Sequence, residues 1–291
     1  MFERIRNKNV LSPVLFVALS LALTALLIVL RFVNLLCFFD YDIGYYQRGA
    51  ALPIIMNALL VLSVLFFAVA SIFITRAPKS LCGYEKNSFT IIGSSLCALT
   101  FLALGINFSL FSIALPSHIQ LNAKIISLYA VFSMLAALYF ISNIVNFIGK
   151  YRALFAIPLI INAVSILAIS YFDITIQMNS PQKLLLHVAC LASMFFFITE
   201  ARCIFEDMRK KLYIFWLCTG IFFSGVYSVP SLIYFAINGI SDYTFITFII
   251  TFFAVFVYLV TRAVTLMISS LKADTADCDT EAPKPQEEEN I

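Results

Sequence analysis

Charge is what this chain of 291 residues has least of. Asp, Glu, Lys and Arg together make up 12% of it, while 62% is hydrophobic and the mean hydropathy is +0.97. A soluble domain carries about 25% charged residues. Too few charges remain here to solvate the outside of a water-soluble fold. Histidine is scarce as well, with two in the whole chain. The seven cysteines (Cys37, Cys82, Cys97, Cys190, Cys203, Cys218 and Cys278) are scattered, and no CxxC or Cys/His spacing suggests a zinc site. Most fall inside apolar runs, where a free thiol behaves as a small hydrophobe. The serine-nucleophile elbow, the HExxH helix, the phosphate-binding P-loop and the dinucleotide fingerprint are all missing. Long polar stretches that could form a soluble catalytic domain are missing too. A non-enzymatic protein without a cofactor or metal is expected.

What is present is apolar length. A hydrocarbon core about 30 Å thick needs about 20 helical residues to cross it. Eight segments qualify, at about 11–36, 50–75, 88–115, 126–149, 153–172, 184–206, 212–237 and 245–270. The first follows a short basic segment, Arg4 to Lys8, but the run from Val10 to Val33 exceeds the roughly 7–15 residues of a signal-peptide core. It is read as an uncleaved first span. The fold class expected is all-α: a polytopic transmembrane bundle over residues 1–272, followed by a disordered acidic tail over 273–291, ADTADCDTEAPKPQEEENI. A seven-helix arrangement would require the short fifth segment, which holds Pro158, not to cross.

The net charge of +3 is not a nucleic-acid signal, because the basic residues sit in short clusters between apolar runs. One set of loops holds Arg4, Arg6, Lys8, Arg76, Lys79, Lys86, Lys150, Arg152, Arg209, Lys210, Lys211 and Lys272. The other holds only Arg48, Lys124 and Lys183, with Arg31 near its interface. Positive residues favour the cytoplasmic side, so both termini are expected there. The expected partners are the lipid bilayer and either another membrane protein or a second copy of the chain.

Polar groups inside the spans are costly and are functional candidates by default. They are Asn57, Asn107, Asn143, Asn146, Asn162, Glu200 and Arg262. Asn143 and Asn162 are expected at similar depth on consecutive spans, where an amide pair would pin the fourth and fifth helices. Glu200 lies about 24 Å along the sixth span and Arg262 about 26 Å along the eighth, both running inward. Their shared level predicts an ion pair between those helices, which lowers the cost of burying either charge. The rival reading for Glu200 is a proton- or substrate-linked role. In the seventh span, Gly220 and Ser224 form a small-xxx-small pair that permits close helix approach, and Pro230 can introduce a kink.

The outer loop FDYDIGYYQRG gathers Asp40, Tyr41, Asp42, Gly44, Tyr45, Tyr46 and Arg48. The rings suit an interfacial aromatic belt, and the acids could pair with Arg31 or Arg48, or bind a cation. A first span ending in an Arg, followed by this acid, glycine and tyrosine pattern, resembles a group of uncharacterised multi-spanning membrane proteins of Firmicutes bacteria. Asp40 or Asp42, Gly44, Tyr45 and Tyr46 carry the resemblance, over about twenty residues. It implies a bacterial plasma-membrane setting and no particular activity. Two function classes follow: a sensory or assembly protein acting through partner helices, and a small-molecule or ion transporter using polar groups inside the bundle.

Overall fold

The computed structural model describes residues 12–40, 43–74, 87–114, 120–145, 149–172, 180–205, 209–239 and 243–280. Its elements are α1 (Pro13–Cys37), β1 (Phe39–Asp40), β2 (Tyr45–Tyr46), α2 (Ala51–Ile72), α3 (Ser88–Ala114), α4 (Gln120–Val145), a 3-10 segment (Gly149–Phe155) leading into α5 (Ala156–Phe172), α6 (Pro181–Ile204), α7 (Lys210–Asn238) and α8 (Tyr243–Thr280). Among the described residues, eight helices are long and apolar enough to cross a membrane. The fifth crossing combines the 3-10 segment with α5, giving 24 residues from Gly149 to Phe172, so the seven-helix arrangement is not what forms. Helix α8 continues to Thr280, through the first residues of the segment expected as a tail, and 281–291 lie outside the described residues.

Apolar side chains are needed on every face of a membrane helix, so sequence periodicity is weak and burial is decided by position in the bundle. Helix α7 is the axis. Every residue from Leu217 to Ser228 is buried, and it packs against α1, α2, α6 and α8. Helix α2 is the opposite case, with 22% of its span buried against 78% for α7. Its outer face shows Val61, Leu62, Leu65 and Val69. The most extensive contact joins neighbours α3 and α4, while the non-sequential pairs α3 with α8 and α1 with α7 close the bundle.

Glycines explain how tightly the helices meet. A Cβ on Gly105 of α3 would stand 2.5 Å from Met134 Cγ and 3.0 Å from the Ala130 carbonyl oxygen of α4. One on Gly225 of α7 would stand 2.7 Å from the Phe256 ring of α8 and 3.2 Å from Thr24 Cγ2 of α1. At Gly220 the facing atom is Leu259 Cδ1, at 3.1 Å, so this glycine also permits α8 to approach. Its companion Ser224 donates instead to the Gly220 carbonyl of its own helix, at 2.5 Å. Ser228 and Ser231 likewise return to the carbonyls of Ser224 and Tyr227, at 2.6 and 2.7 Å. These hydroxyls are satisfied without leaving α7. Pro230 lies inside α7, which runs on unbroken to Asn238.

The five described cysteines are free, and all but Cys37 are buried. The connection between α1 and α2 is more regular than a turn. Strands β1 and β2 pair antiparallel, Phe39 opposite Tyr46 and Asp40 opposite Tyr45. Gly44 adopts φ 74°, a left-handed conformation that glycine enters without a Cβ penalty. Its amide donates to the Asp40 carbonyl at 2.8 Å.

Candidate functional site

One buried carboxylate on α6 meets partners from two neighbouring helices, α4 and α8. Glu200 projects from α6 and is 2% exposed. Tyr139 and Asn143 lie four residues apart on α4, and Tyr258 and Arg262 four apart on α8, so each pair shares one helix face. Tyr139 Oη donates to Glu200 Oε2 at 2.7 Å. Tyr258 Oη stands 2.9 Å from Oε1 and 3.0 Å from Oε2, a proton shared between the two oxygens. Arg262 Nε lies 2.7 Å from Oε1. That contact is electrostatic, because the Nε–H is not aligned for a hydrogen bond. Asn143 Nδ2 donates to the Tyr258 hydroxyl at 3.3 Å, making a second layer behind the carboxylate. Tyr213 of α7 stands within electrostatic reach of the Arg262 side chain.

Rings enclose this centre. Phe140 meets Tyr258 edge-on with centroids 5.1 Å apart, Phe197 meets Tyr139 edge-on at 5.9 Å, and Phe197 stacks on Tyr258 at 6.1 Å. With little water present, each hydrogen bond to the carboxylate is strong and each lost one is costly. The charges of Glu200 and Arg262 cancel, and the hydroxyls occupy the remaining acceptor positions. The centre is chemically a latch. It holds α4, α6 and α8 at one level and leaves neither carboxylate oxygen without a donor or counter-charge from the chain itself.

The expected amide pair does not form. Asn162 of α5 donates to Ser133 Oγ at 2.6 Å and to the Tyr129 carbonyl at 3.3 Å. Ser133 precedes Asn143 by ten residues, so the two amides are separated by about 15 Å of helix. The return into the fifth crossing opens as a seven-residue 3-10 segment, whose rise of about 2.0 Å per residue adds only about 3.5 Å over an α-helical count. The larger part of the offset is the register at which α5 packs on α4, which no local count of residues fixes. Asn57 and Asn107 sit at exposed positions on their helices rather than in the interior. Asn146 and Asp42 lie outside the described residues.

The hairpin residues do not join the Glu200 centre. Asp40 Oδ1 accepts from the Ile43 amide at 3.3 Å, which shapes the turn. Phe39 and Tyr46 meet edge-on across the strands at 5.4 Å. Arg31 of α1 lies in the bundle interior. It is 1% exposed and donates to Gln182 Oε1 of α6, while its Nε makes no hydrogen bond. Tyr46 of the hairpin and Tyr227 of α7 stand within electrostatic reach of its charge. Burial lifts the Tyr46 phenol above its ordinary pKa, and the Arg31 charge partly opposes that. One turn further along α1, Asn34 Nδ2 contacts Met56 Sδ of α2 at 3.1 Å.

Sequence reading therefore missed Tyr139, Tyr258, Gln182 and the interior setting of Arg31. A signal for the tyrosines was present: each lies four residues before a polar side chain inside an apolar run, as Tyr139 to Asn143 and Tyr258 to Arg262. Gln182 carries no comparable mark, because its partner comes from a helix 151 positions away. Among the described residues no group of three His, Cys, Asp or Glu side chains could hold a metal ion.

The fold and its buried polar centre define a multi-pass helical membrane protein. No family model matches the chain, and neither curated proteins nor solved structures supply a match.

Proposed function

We propose that the chain is a non-enzymatic component of a bacterial plasma membrane that works in sensing or assembly, by presenting a rigid helical bundle to partner helices. The observation that carries this reading is the saturation of Glu200. A transport site must exchange protein contacts for substrate, whereas both oxygens of this carboxylate are already engaged by Tyr139, Tyr258 and Arg262. The weakly buried α2 offers a broad apolar face for a partner helix or a second copy of the chain. The likeness of the FDYDIGYY loop to the Firmicutes membrane group supports the bacterial setting. The loop charges support cytoplasmic termini.

A transporter is the second reading, and Arg31 is what favours it. A buried guanidinium held by a neutral amide is suited to attract an anion. Proteoliposomes loaded with a pH-sensitive dye separate the two classes. The assembly reading expects proton and anion flux no greater than in empty liposomes. Flux that disappears in Glu200→Gln or Arg31→Gln would overturn it in favour of transport.

A further inference from the structure

Helix α2 carries a polar group that the bundle leaves outside. Between Ala51 and Ile72 it has no charged side chain, and its polar ones are Asn57, Ser63 and Ser71. Ser63 and Ser71 are buried and donate to carbonyls of their own helix, Leu59 at 2.6 Å and Ala68 at 2.8 Å. Asn57 is exposed, and its amide makes no hydrogen bond with any described residue. The interior amides differ: Asn34, Asn143 and Asn162 each reach a side chain of another helix. Asn57 stands about 9 Å along α2 from the hairpin end. It lies between Ile54 and Val61, which are 66% and 62% exposed. A carboxamide facing hydrocarbon with its donors and acceptor empty is costly. One methylene separates it from the backbone, so it cannot extend to the headgroups as Lys or Arg does.

We infer that this face of α2 is the contact of a symmetric homodimer, in which the two Asn57 carboxamides hydrogen-bond to each other. The inference rests on the assembly reading and names its partner as a second copy of the chain. Ile54, Asn57, Ala58, Val61 and Leu65 are spaced by three and four residues, so they form one exposed helix face. Ala58 beside the amide is small enough to let a facing helix come close. The partner this face fits is an apolar helix without charge that offers one amide at the level of Asn57. Helix α2 is itself such a helix. Two copies inserted the same way cross in parallel, so Asn57 meets Asn57 at the same depth. A carboxamide carries both donor and acceptor, and is therefore complementary to itself across a two-fold axis.

Dimerisation of the full, fluorescently labelled chain is measured in phosphatidylcholine liposomes by single-molecule photobleaching over a range of protein-to-lipid ratios. The parent chain should form dimers. Asn57→Leu should weaken them about 3- to 30-fold, while Asn57→Gln, which keeps the carboxamide, should retain them. The unfolding midpoint of each variant at monomeric dilution should match that of the parent, because Asn57 bonds to nothing described in its own bundle. Geometry is read by oxidative cross-linking against the parent chain with its native thiols. Val61→Cys, on the proposed face, should give a new covalent dimer. Ile55→Cys should not, since Ile55 is 50% exposed but about 120° around the helix. A monomer at every density overturns the proposal, as does dimerisation undiminished in Asn57→Leu or equal cross-linking at Ile55 and Val61. None of these results depends on flux, so failure of the dimer and failure of the assembly reading are read separately.

Discussion

At the scale of single residues, an acid can remain ionised in an apolar interior only if its neighbours replace the water it has lost. For Glu200 they are one cation and two phenols. Removing one member of a buried pair costs about 3–5 kcal/mol, because the other is left without compensation. Thermal unfolding in nanodiscs should therefore show Glu200→Gln and Arg262→Gln each destabilised, by up to about 3–5 kcal/mol. Arg262→Gln should be the more severe, since Arg262 is 18% exposed and can turn toward the headgroups when Glu200 is lost. Glu200 has no such escape. The double variant should lose less than the sum of the singles, by at least about 1 kcal/mol of coupling. Strict additivity would mean that the contact does not stabilise the bundle. The phenols are not equivalent either. Tyr258 touches both carboxylate oxygens and accepts from Asn143, whereas Tyr139 touches one oxygen. Hydrogen bonds to a charge contribute about 1.5–3 kcal/mol, so Tyr258→Phe is expected at the upper end of that range and Tyr139→Phe at the lower. The same unfolding assay checks the order.

At the scale of elements, close packing explains more than polarity does. In lipid there is no hydrophobic drive between helices, so association depends on contact and on small residues that allow it. Gly105 faces backbone atoms of α4, which cannot rotate away, while Gly225 faces the side chains of Phe256 and Thr24, which can. Gly105→Val should force α3 from α4 and destabilise by about 2–3 kcal/mol, more than the roughly 1 kcal/mol that leaving glycine gains in a helix. Gly225→Ala should be milder, because a ring can shift to receive one methyl group. Comparing the midpoints of the two variants checks this, and a larger loss at Gly225 would contradict the packing argument. The span positions and the small residues of α7 were legible from apolar length and composition. The 3-10 entry to the fifth crossing was not, because the KYR turn carries no mark of its winding. Nor was the register of α5 on α4, which places Asn162 at Ser133 and not at Asn143.

At the scale of the whole molecule, the eight candidate spans among the described residues and the distribution of basic residues between the loops make a prediction: both termini are expected on the cytoplasmic side. Labelling with a membrane-impermeant maleimide in intact cells reads this directly. A thiol introduced as Gln47→Cys, an exposed position next to the β-hairpin, should react, and Cys278 should not. Reaction at Cys278 alone would invert the orientation. Oxidative cross-linking among the native thiols should be poor in the folded protein, since Cys97, Cys190, Cys203 and Cys218 are free and buried. Denaturation should make all four alkylatable by mass spectrometry.

The sequence by itself determined the solvent of this protein, the number of crossings and the level of the two opposite charges. Each depends on local quantities, namely apolar length, loop charge and helical rise. Only the tertiary structure decided which side chains meet. Tyr139 and Tyr258 reach Glu200 from helices 61 and 58 residues away in the chain, and Arg31 reaches Gln182 from 151. Such meetings depend on how each helix is rotated about its axis. In a bundle whose helices are apolar on nearly every face, that rotation is fixed by packing and hydrogen bonding between helices. It leaves little periodic signal in any one of them.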